Sequence, residues 1–195
     1  MTSVELLVEG FARRVGPGVW SASSNVTLVQ DDSVVLLVDL STSDREPEVL
    51  AALQRRGLAP DDVDAVLLTH LHVDHVGALH LFPHTRIIVP EGMTEGSRLQ
   101  FCNPTTLHPS PHSFVLRVPG HTANDIALGV RTDDGRLIVI AGDLFPVSLE
   151  PAAPTKAQDP SLLAASRKAV LDMADVIVTG HGPMIAVVRQ QRVLK

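Results

Sequence analysis

The sequence predicts a single α/β domain in which β-sheets pack together inside and helices cover them. Two observations indicate this architecture: short apolar strands in hairpins fill the first part of the chain, and strands then alternate with amphipathic helices. A chain of 195 residues, 45% hydrophobic and 19% charged, can bury one substantial core but is short for two domains. We therefore expect one domain over residues 1–195.

The first elements follow from their apolar pattern. A helix is expected within residues 43–57, where Val49, Leu50 and Leu53 recur at helical spacing and Gly57 ends the pattern. A continuous apolar run is typical of a strand buried on both faces, and residues 63–69 form such a run. Three earlier strands are expected at residues 4–11, 25–30 and 34–39.

The second half of the chain continues the alternation. A helix is expected from Ser161 to about Met173, with Asp159 as its N-cap and Pro160 in its first turn. Two segments rich in Pro, Ser and Thr show no period, and we expect them to be irregular loops that line a cleft: 91–113 and 146–160. Further short strands are expected at residues 86–89, 114–118, 126–130, 137–141 and 175–179.

The segment HLHVDHVG, residues 70–77, follows an apolar strand directly and concentrates metal-binding side chains. Side chains alternate in an extended chain, so His70 and His72 point to the same side and can share one ion. Asp74 and His75 follow where the chain turns, and they project differently. They could therefore serve a second ion beside the first.

Three later segments repeat a pattern of apolar strand, glycine and potential ligand. They supply His121 in VPGHT, Asp143 in AGDLF and His181 in TGHGP. If the strands lie side by side, their ends bring seven nitrogen or oxygen ligands together. Imidazoles with a bridging carboxylate suit a pair of zinc-like cations.

The ligands divide into two sets. The first metal is assigned His70, His72 and His121, the second is assigned Asp74, His75 and His181, and Asp143 is assigned to both. Two divalent cations, expected to be zinc with iron or manganese as alternatives, lower the pKa of a bridging water and supply a hydroxide near pH 7. Asp74 or Asp143 would orient this nucleophile and take its proton, which makes both candidate catalytic residues.

The run THLHVDHVG, followed in order by PGHT, AGD and GHG, resembles the metallo-β-lactamase superfamily. The resemblance covers roughly residues 25–187. It implies a four-layer αβ/βα sandwich, the metallo-β-lactamase fold, with a dinuclear metal site at one edge of the sheets. The superfamily usually has Asp-Thr-Gly where this chain has Asp39-Leu40-Ser41, and Asp39 is expected to support the metal ligands from behind.

A finer resemblance suggests a substrate. The stretches LHLFPHTRIIV, VIAGDLF and DPSLLAASRKAVLDMADVIVTGHGP resemble the metallo-β-lactamase domain-containing protein 1 family. This implies metal-dependent endoribonuclease activity of the histone pre-mRNA 3′-end type, so hydrolysis of an RNA phosphodiester is the first hypothesis. The net charge of −6 argues against broad binding to polyphosphate backbones, although metals can hold a nucleic acid locally.

Two alternatives stay open. The same hydroxide could hydrolyse a small ester, thioester or lactone, which fits a domain without appended modules, although the absence of tyrosine disfavours lactonases that use one. The site could instead hold a single iron, as in persulfide-type dioxygenases, or bind metal without catalysis. The complete set of seven ligands argues against both of these readings.

Cellular context follows from weaker signals. One cysteine, Cys102, excludes an internal disulfide and suits a reducing compartment. The start of the chain lacks a signal-peptide pattern, and no stretch approaches the roughly 18–20 apolar residues that span a bilayer. We expect a cytoplasmic or nuclear protein with no membrane partner, with RNA or a small ester as substrate, and with a homodimer as the default assembly.

Overall fold

A computed structural model describes residues 1–150 and 157–188, and it forms two β-sheets, a separate hairpin and two α-helices. The helices are α1 (Glu46–Arg55) and α2 (Pro160–Met173). Short 3-10 turns occupy Ser43–Arg45, Pro60–Asp62, Leu79–Leu81, Pro104–Thr106 and Gly142–Leu144. The strands are β1 (Thr2–Val8), β2 (Phe11–Gly16), β3 (Val19–Ser23), β4 (Val26–Asp31), β5 (Val34–Val38), β6 (Ala65–Leu67), β7 (Arg86–Val89), β8 (Gly92–Glu95), β9 (Arg98–Phe101), β10 (Ser113–Arg117), β11 (Ile126–Arg131), β12 (Leu137–Ile140), β13 (Val176–Val178) and β14 (Met184–Ala186).

Each sheet combines a parallel centre with antiparallel edges. The first has the order β1-β4-β5-β6-β7-β8-β9, in which β5, β6 and β7 run parallel and Leu37 pairs with Val66. The second has the order β10-β11-β12-β13-β14, in which β12 and β13 run parallel and Val139 pairs with Ile177. In both sheets the carboxyl ends of the parallel strands lie at the same end of the sandwich. Polar residues in the loops that follow these strands can meet there.

Three apolar clusters define the layers. The central cluster joins the two sheets, with Val38 and Leu67 from the first packed in one core with Ile126 and Ile140 from the second. A second cluster packs α1 through Val49, Ala52 and Leu53 against the outer face of the first sheet. A third packs α2 through Leu163 and Val170 against the outer face of the second. The order is helix, sheet, sheet, helix, so the predicted four-layer αβ/βα sandwich is confirmed.

Both helix predictions are confirmed because their end signals are local. α2 begins at Pro160, and Asp159 accepts hydrogen bonds from the backbone N–H groups of Ser161 and Leu162, each at 2.9 Å. α1 ends at Arg55, and Gly57 takes the left-handed conformation with φ +71°.

Several predicted strand and loop boundaries are wrong. Segment 91–113 is not wholly irregular, because β8 and β9 form a hairpin in which Glu95 pairs with Arg98. The strand predicted at 4–11 breaks between β1 and β2, where a side chain at Gly10 would lie 2.3 Å from the carbonyl oxygen of Ser23. β14 follows the strand predicted to be last, and β3 was missed. Residues 151–156 of the predicted loop 146–160 lie outside the described residues.

No helix in the described ranges, 1–150 and 157–188, is long and apolar enough to cross a membrane.

A buried carboxylate ties the far ends of the two sheets together. Asp31, at the end of β4, accepts hydrogen bonds from Thr2 Oγ1 and from the backbone N–H of His112, each at 2.7 Å. Ser110 Oγ donates to it as well, and His112 Nδ1 lies 2.7 Å from Oδ1. Burial raises the pKa of this carboxyl, but the hydrogen bonds outweigh burial and lower the pKa to about 2. Both oxygens have protein partners, so this cluster of Asp31 with His112 is a structural tie.

Asp31 should therefore contribute to acid sensitivity. Its folded pKa lies below the ordinary 3.8, so its contribution to stability is present above 3.8 and is lost as the pH falls toward about 2. In urea unfolding compared at about pH 5 and about pH 3, the free energy of unfolding of Asp31→Asn should decline less than that of the wild type. Asp32→Asn, at the exposed neighbour, is the control, and an equal decline in Asp31→Asn and wild type would contradict this prediction.

Candidate metal centre

The structure brings all seven predicted ligands to one edge of the sandwich. The loop after β6 carries His70, His72, Asp74 and His75, and the other three side chains follow β10, β12 and β13. Backbone hydrogen bonds join these loops in pairs: the N–H of Ile126 donates to the carbonyl of Thr69, and the N–H of Gly180 donates to that of Phe145. The ligand loops are thus fixed to one another by the main chain.

Four side chains form the first group. Ligand atoms of His70, His72, His121 and Asp143 all lie within 4.8 Å of one another. His72 Nδ1 is 2.9 Å from His70 Nε2 and 3.1 Å from His121 Nε2. Three imidazole nitrogens therefore point at one small volume, as ligands of a shared cation do.

Three side chains form the second group, and Asp143 lies between the groups. Ligand atoms of Asp74, His75 and His181 lie within 4.8 Å of one another. Asp143 Oδ1 is 3.0 Å from His181 Nε2 and 3.4 Å from His75 Nε2. Its Oδ2 is 3.4 Å from His121 Nε2, in the first group. The carboxylate therefore lies between the two groups, which is the position that the predicted shared ligand requires.

Two buried atoms in this cluster test whether a cation fits. His75 Nε2 and Asp143 Oδ1 are buried without a hydrogen-bond partner among the described residues. A buried polar group left unpaired costs about 1–3 kcal/mol, so such atoms are rare without a compensating ligand. Both atoms face each other across 3.4 Å. A divalent cation would satisfy both, and the donor set of nitrogen and oxygen atoms fits it.

Electrostatics favour the ligand forms of several groups. Burial, aided by neighbouring imidazoles, lowers the pKa of His70 to about 2, and burial also lowers the pKa of His121. Burial raises the pKa of Asp143, but His181 and His75 outweigh it and hold that pKa well below the usual range. Neutral imidazoles and an ionised carboxylate are the forms that coordinate cations.

In the second group, the pKa values of the imidazoles shift in the opposite direction. Burial lowers the pKa of His75 and of His181, but adjacent carboxylates outweigh burial and raise both. For His75 these are Asp39 and Asp143, and for His181 Asp143 acts. A raised pKa favours the protonated imidazole, and a metal that binds here would compete with that proton.

Asp39 lies directly behind His75. Its carboxylate accepts hydrogen bonds from the backbone N–H and the Oγ1 of Thr69, and His75 Nδ1 lies at the same 2.8 Å from it. Since Nδ1 of His75 is bound to Asp39, its Nε2 is directed at Asp143. Asp39 thus fixes the orientation of a ligand without reaching the cluster itself.

The departure from Asp-Thr-Gly does not displace Asp39. Ser41, at the position of the usual glycine, takes the left-handed conformation with φ +59°, which is strained for a residue with a side chain. Its Oγ forms a buried hydrogen bond with Ser23 Oγ, and its N–H donates to Ser24 Oγ at 3.1 Å. These contacts offset the strain, so serine can replace glycine here.

Sequence reasoning missed two residues that hold ligand loops. Asn25 Nδ2 donates to the carbonyls of Thr179 and Gly182, which flank His181, across more than 150 positions of sequence. No local signal could have indicated this contact. Asp125 accepts hydrogen bonds from the N–H and Oγ1 of Thr122, and it closes the turn that carries His121. The spacing in HTAND is typical of such a turn and could have indicated it.

A cleft opens beside the first group. Its volume is about 300 Å³, and its lining includes His70, His72, Pro90, Glu91, Asn124 and Gln158. Asn124 Nδ2 donates to Glu91 Oε1 at 3.2 Å. Of the two segments expected to line a cleft, the first contributes Glu91 and the second contributes Gln158.

Exposed apolar side chains lie in the ligand loop beside this cleft. Leu71 lines the cleft and is 55% exposed, and Val73 is 81% exposed. Both alternate with the ligands His70, His72 and Asp74 along the loop. The loop therefore offers an apolar surface next to the candidate metal ligands.

Comparison with known proteins agrees with this geometry. A family model described as the metallo-beta-lactamase superfamily matches residues 21–100. Metallo-beta-lactamase domain-containing protein 1 of Xenopus laevis is 37% identical, over 96% of this chain and 82% of the relative. The protein of the same name from Homo sapiens is 34% identical, over 80% of this chain and 60% of its own length, so the chain spans well under the full length of the human relative.

Other similarities are more distant. A hydroxyacylglutathione hydrolase from Photorhabdus laumondii is 36% identical over 51% of this chain and 40% of its own length. A dizinc quorum-quenching lactonase has a TM-score of 0.68 at 18% identity, covering 89% of this chain and 78% of the other. The identity is too low for the second similarity to show more than the fold. From the frog relative, the family model and the fold together, the chain belongs to the metallo-β-lactamase superfamily of metallo-hydrolases.

Proposed function

We propose that this chain hydrolyses its substrate with two divalent cations, zinc in the simplest case. The observation that carries the proposal is Asp143, whose carboxylate lies within 3.4 Å of imidazoles from both ligand groups and has a buried oxygen without a hydrogen-bond partner in the described part of the chain. One cation would be held by His70, His72 and His121, the other by Asp74, His75 and His181, and Asp143 would contact both.

The cations and the protein would divide the chemistry. When bound, two such cations supply a hydroxide at neutral pH and polarise the oxygen of the bond to be cleaved. Asp74 is 20% exposed and its Oδ2 lies 3.6 Å from His181 Nε2, so this carboxylate faces solvent beside the second ligand group, where it could orient the attacking hydroxide. Asp143 is less exposed and faces imidazoles, so its role is to hold the two ligand groups together.

For the substrate, the cleft favours a small ester, thioester or lactone. Its volume of about 300 Å³ suits a small molecule, and the residues described as its lining include Glu91 but no Lys or Arg. A phosphodiester backbone would place negative charge beside that carboxylate. One relative of this chain is named a hydroxyacylglutathione hydrolase, and a hydroxyacyl group on glutathione is a thioester.

Hydrolysis of RNA stays a prediction. It rests on the resemblance to the metallo-β-lactamase domain-containing protein 1 family, to which the frog and human relatives belong by name. RNA is therefore the competing arm of the experiment.

A matched substrate panel separates these candidates. Zinc-loaded protein would be assayed on a glutathione thioester, an acyl lactone and a labelled single-stranded RNA, with His72→Ala purified in parallel to detect contaminating enzymes. We expect turnover of a thioester or lactone that the variant loses. RNA cleavage that the variant loses, without ester turnover, would overturn the small-substrate proposal and restore the RNA hypothesis. Bound iron with oxygen consumption would contradict hydrolysis itself.

A further inference from the structure

We infer that helix α2 positions two metal ligands at once, because its adjacent residues Ser166 and Arg167 hold the His121 loop and the Asp143 loop respectively. This inference rests on the proposed function, since it concerns how the site keeps its cations. Neither residue reaches the cluster, so both are positioning residues.

The first contact fixes the loop that carries His121. Ser166 Oγ donates a hydrogen bond to the carbonyl of Pro119 at 2.8 Å. Gly120 packs against the same helix: a Cβ there would lie 2.2 Å from the backbone nitrogen of Leu163, and φ at Gly120 is +139°. The loop therefore lies directly on the start of α2, and any larger residue at position 120 would push it away.

The second contact fixes the loop that carries Asp143. Arg167 Nε donates to the carbonyl of Leu144 at 2.6 Å, and its guanidinium lies 5.6 Å from the centre of the Phe145 ring. Leu144 and Phe145 are buried, and burial lowers the pKa of the Arg167 guanidinium. A partly buried arginine that binds a main-chain oxygen fixes that segment of backbone.

The two loops come from different strands, and their ligands must nevertheless meet. His121 follows β10 and Asp143 follows β12, yet His121 Nε2 and Asp143 Oδ2 lie 3.4 Å apart. Metal sites tolerate displacements of only about 0.5 Å in their ligands. Adjacent residues on one rigid helix contact both loops, so α2 gives the two loops a common support that helps to set this distance.

The two contacts predict different defects. His121 belongs to one ligand group. Ser166→Ala should therefore lower the affinity for one of the two cations about 10-fold and leave the affinity for the other unchanged. Asp143 contacts both groups, so Arg167→Ala should lower the affinity for both cations by about 10- to 100-fold. Arg167→Lys keeps the charge but loses the planar donor, and it should recover only part of the affinity.

The experiment measures metal binding rather than turnover. Zinc affinity would be measured by competition with a chelator, the absorption of cobalt-substituted protein would report ligand geometry, and unfolding of the chelator-treated protein would report stability. Lys168→Ala is the matched control, because Lys168 is the next residue on α2, is exposed and pairs with Asp172. We expect the Ser166 and Arg167 variants to have altered cobalt spectra and altered zinc affinities. The Lys168 variant should have the spectrum and the affinity of the wild type.

Two results would overturn the inference, and they are distinguishable. If the wild type binds two cations and the Ser166 and Arg167 variants only unfold more easily, with unchanged affinity and cobalt spectrum, the helix is structural and the proposed function stands. If the wild type binds no cation, the proposed function fails and this inference fails with it.

Discussion

Asp143→Ala should reduce hydrolysis by on the order of 10³-fold or more and should lower the metal content of the protein. The physical reason is its place between the ligand groups, 3.0 Å from His181 Nε2 and 3.4 Å from His121 Nε2. Among the described residues, Asp143 is the carboxylate that contacts both groups, so alanine would remove the ligand shared by the two cations and the negative charge between them. Turnover and metal content would be measured on the same preparation.

The control for this prediction is an exposed aspartate elsewhere. Asp172 pairs with Lys168 on the surface of α2, and Asp172→Ala should leave turnover and metal content unchanged. Asp143→Asn keeps the size of the side chain but removes its charge, so it should behave like the alanine variant. Full activity in Asp143→Asn would contradict a bridging role for the carboxylate.

Asp39→Asn should lower metal affinity by about 10- to 100-fold although Asp39 is not itself a predicted ligand. Its two oxygens bind the N–H and Oγ1 of Thr69 and Nδ1 of His75, all at 2.8 Å. An amide at this position turns one acceptor into a donor, which must face either the backbone N–H of Thr69 or both Thr69 Oγ1 and His75 Nδ1. We expect the second arrangement, because the hydroxyl of Thr69 can also accept a hydrogen bond whereas a backbone N–H cannot. His75 would then lose the contact that directs its Nε2 toward Asp143.

The same substitution should also destabilise the metal-free protein. Asp39 is buried, and leaving its partners unpaired costs about 1–3 kcal/mol or more. Chelator competition would give the metal affinity, and urea unfolding with chelator present would give the stability. Asp44→Asn, in the turn that follows, is the control. Unchanged affinity in Asp39→Asn would show that His75 is oriented without Asp39.

Much of the site could be predicted because its signals are local. His70 and His72 are close in sequence, and His121, Asp143 and His181 each follow a strand and a glycine. The ends of parallel strands meet at one edge, so the fold brings separate segments together. The capping of α2 by Asp159 is equally local.

The rest depended on contacts or exposure that leave no pattern. β9 is exposed along its length, so its sequence lacks the alternation that marks a half-buried strand. The Asn25 contact with Gly182 and the Arg167 contact with Leu144 join residues far apart in sequence. No local sequence pattern distinguishes Asn25 or Arg167, and their role follows only from the topology that places them behind the site.

The central claim is that the chain holds two divalent cations, and elemental analysis with zinc titration of the purified wild type tests it most directly. We predict two zinc ions per chain at saturation, with the two groups around His70 and His181 both occupied. Binding of a single iron, or of no metal at all, would contradict the account.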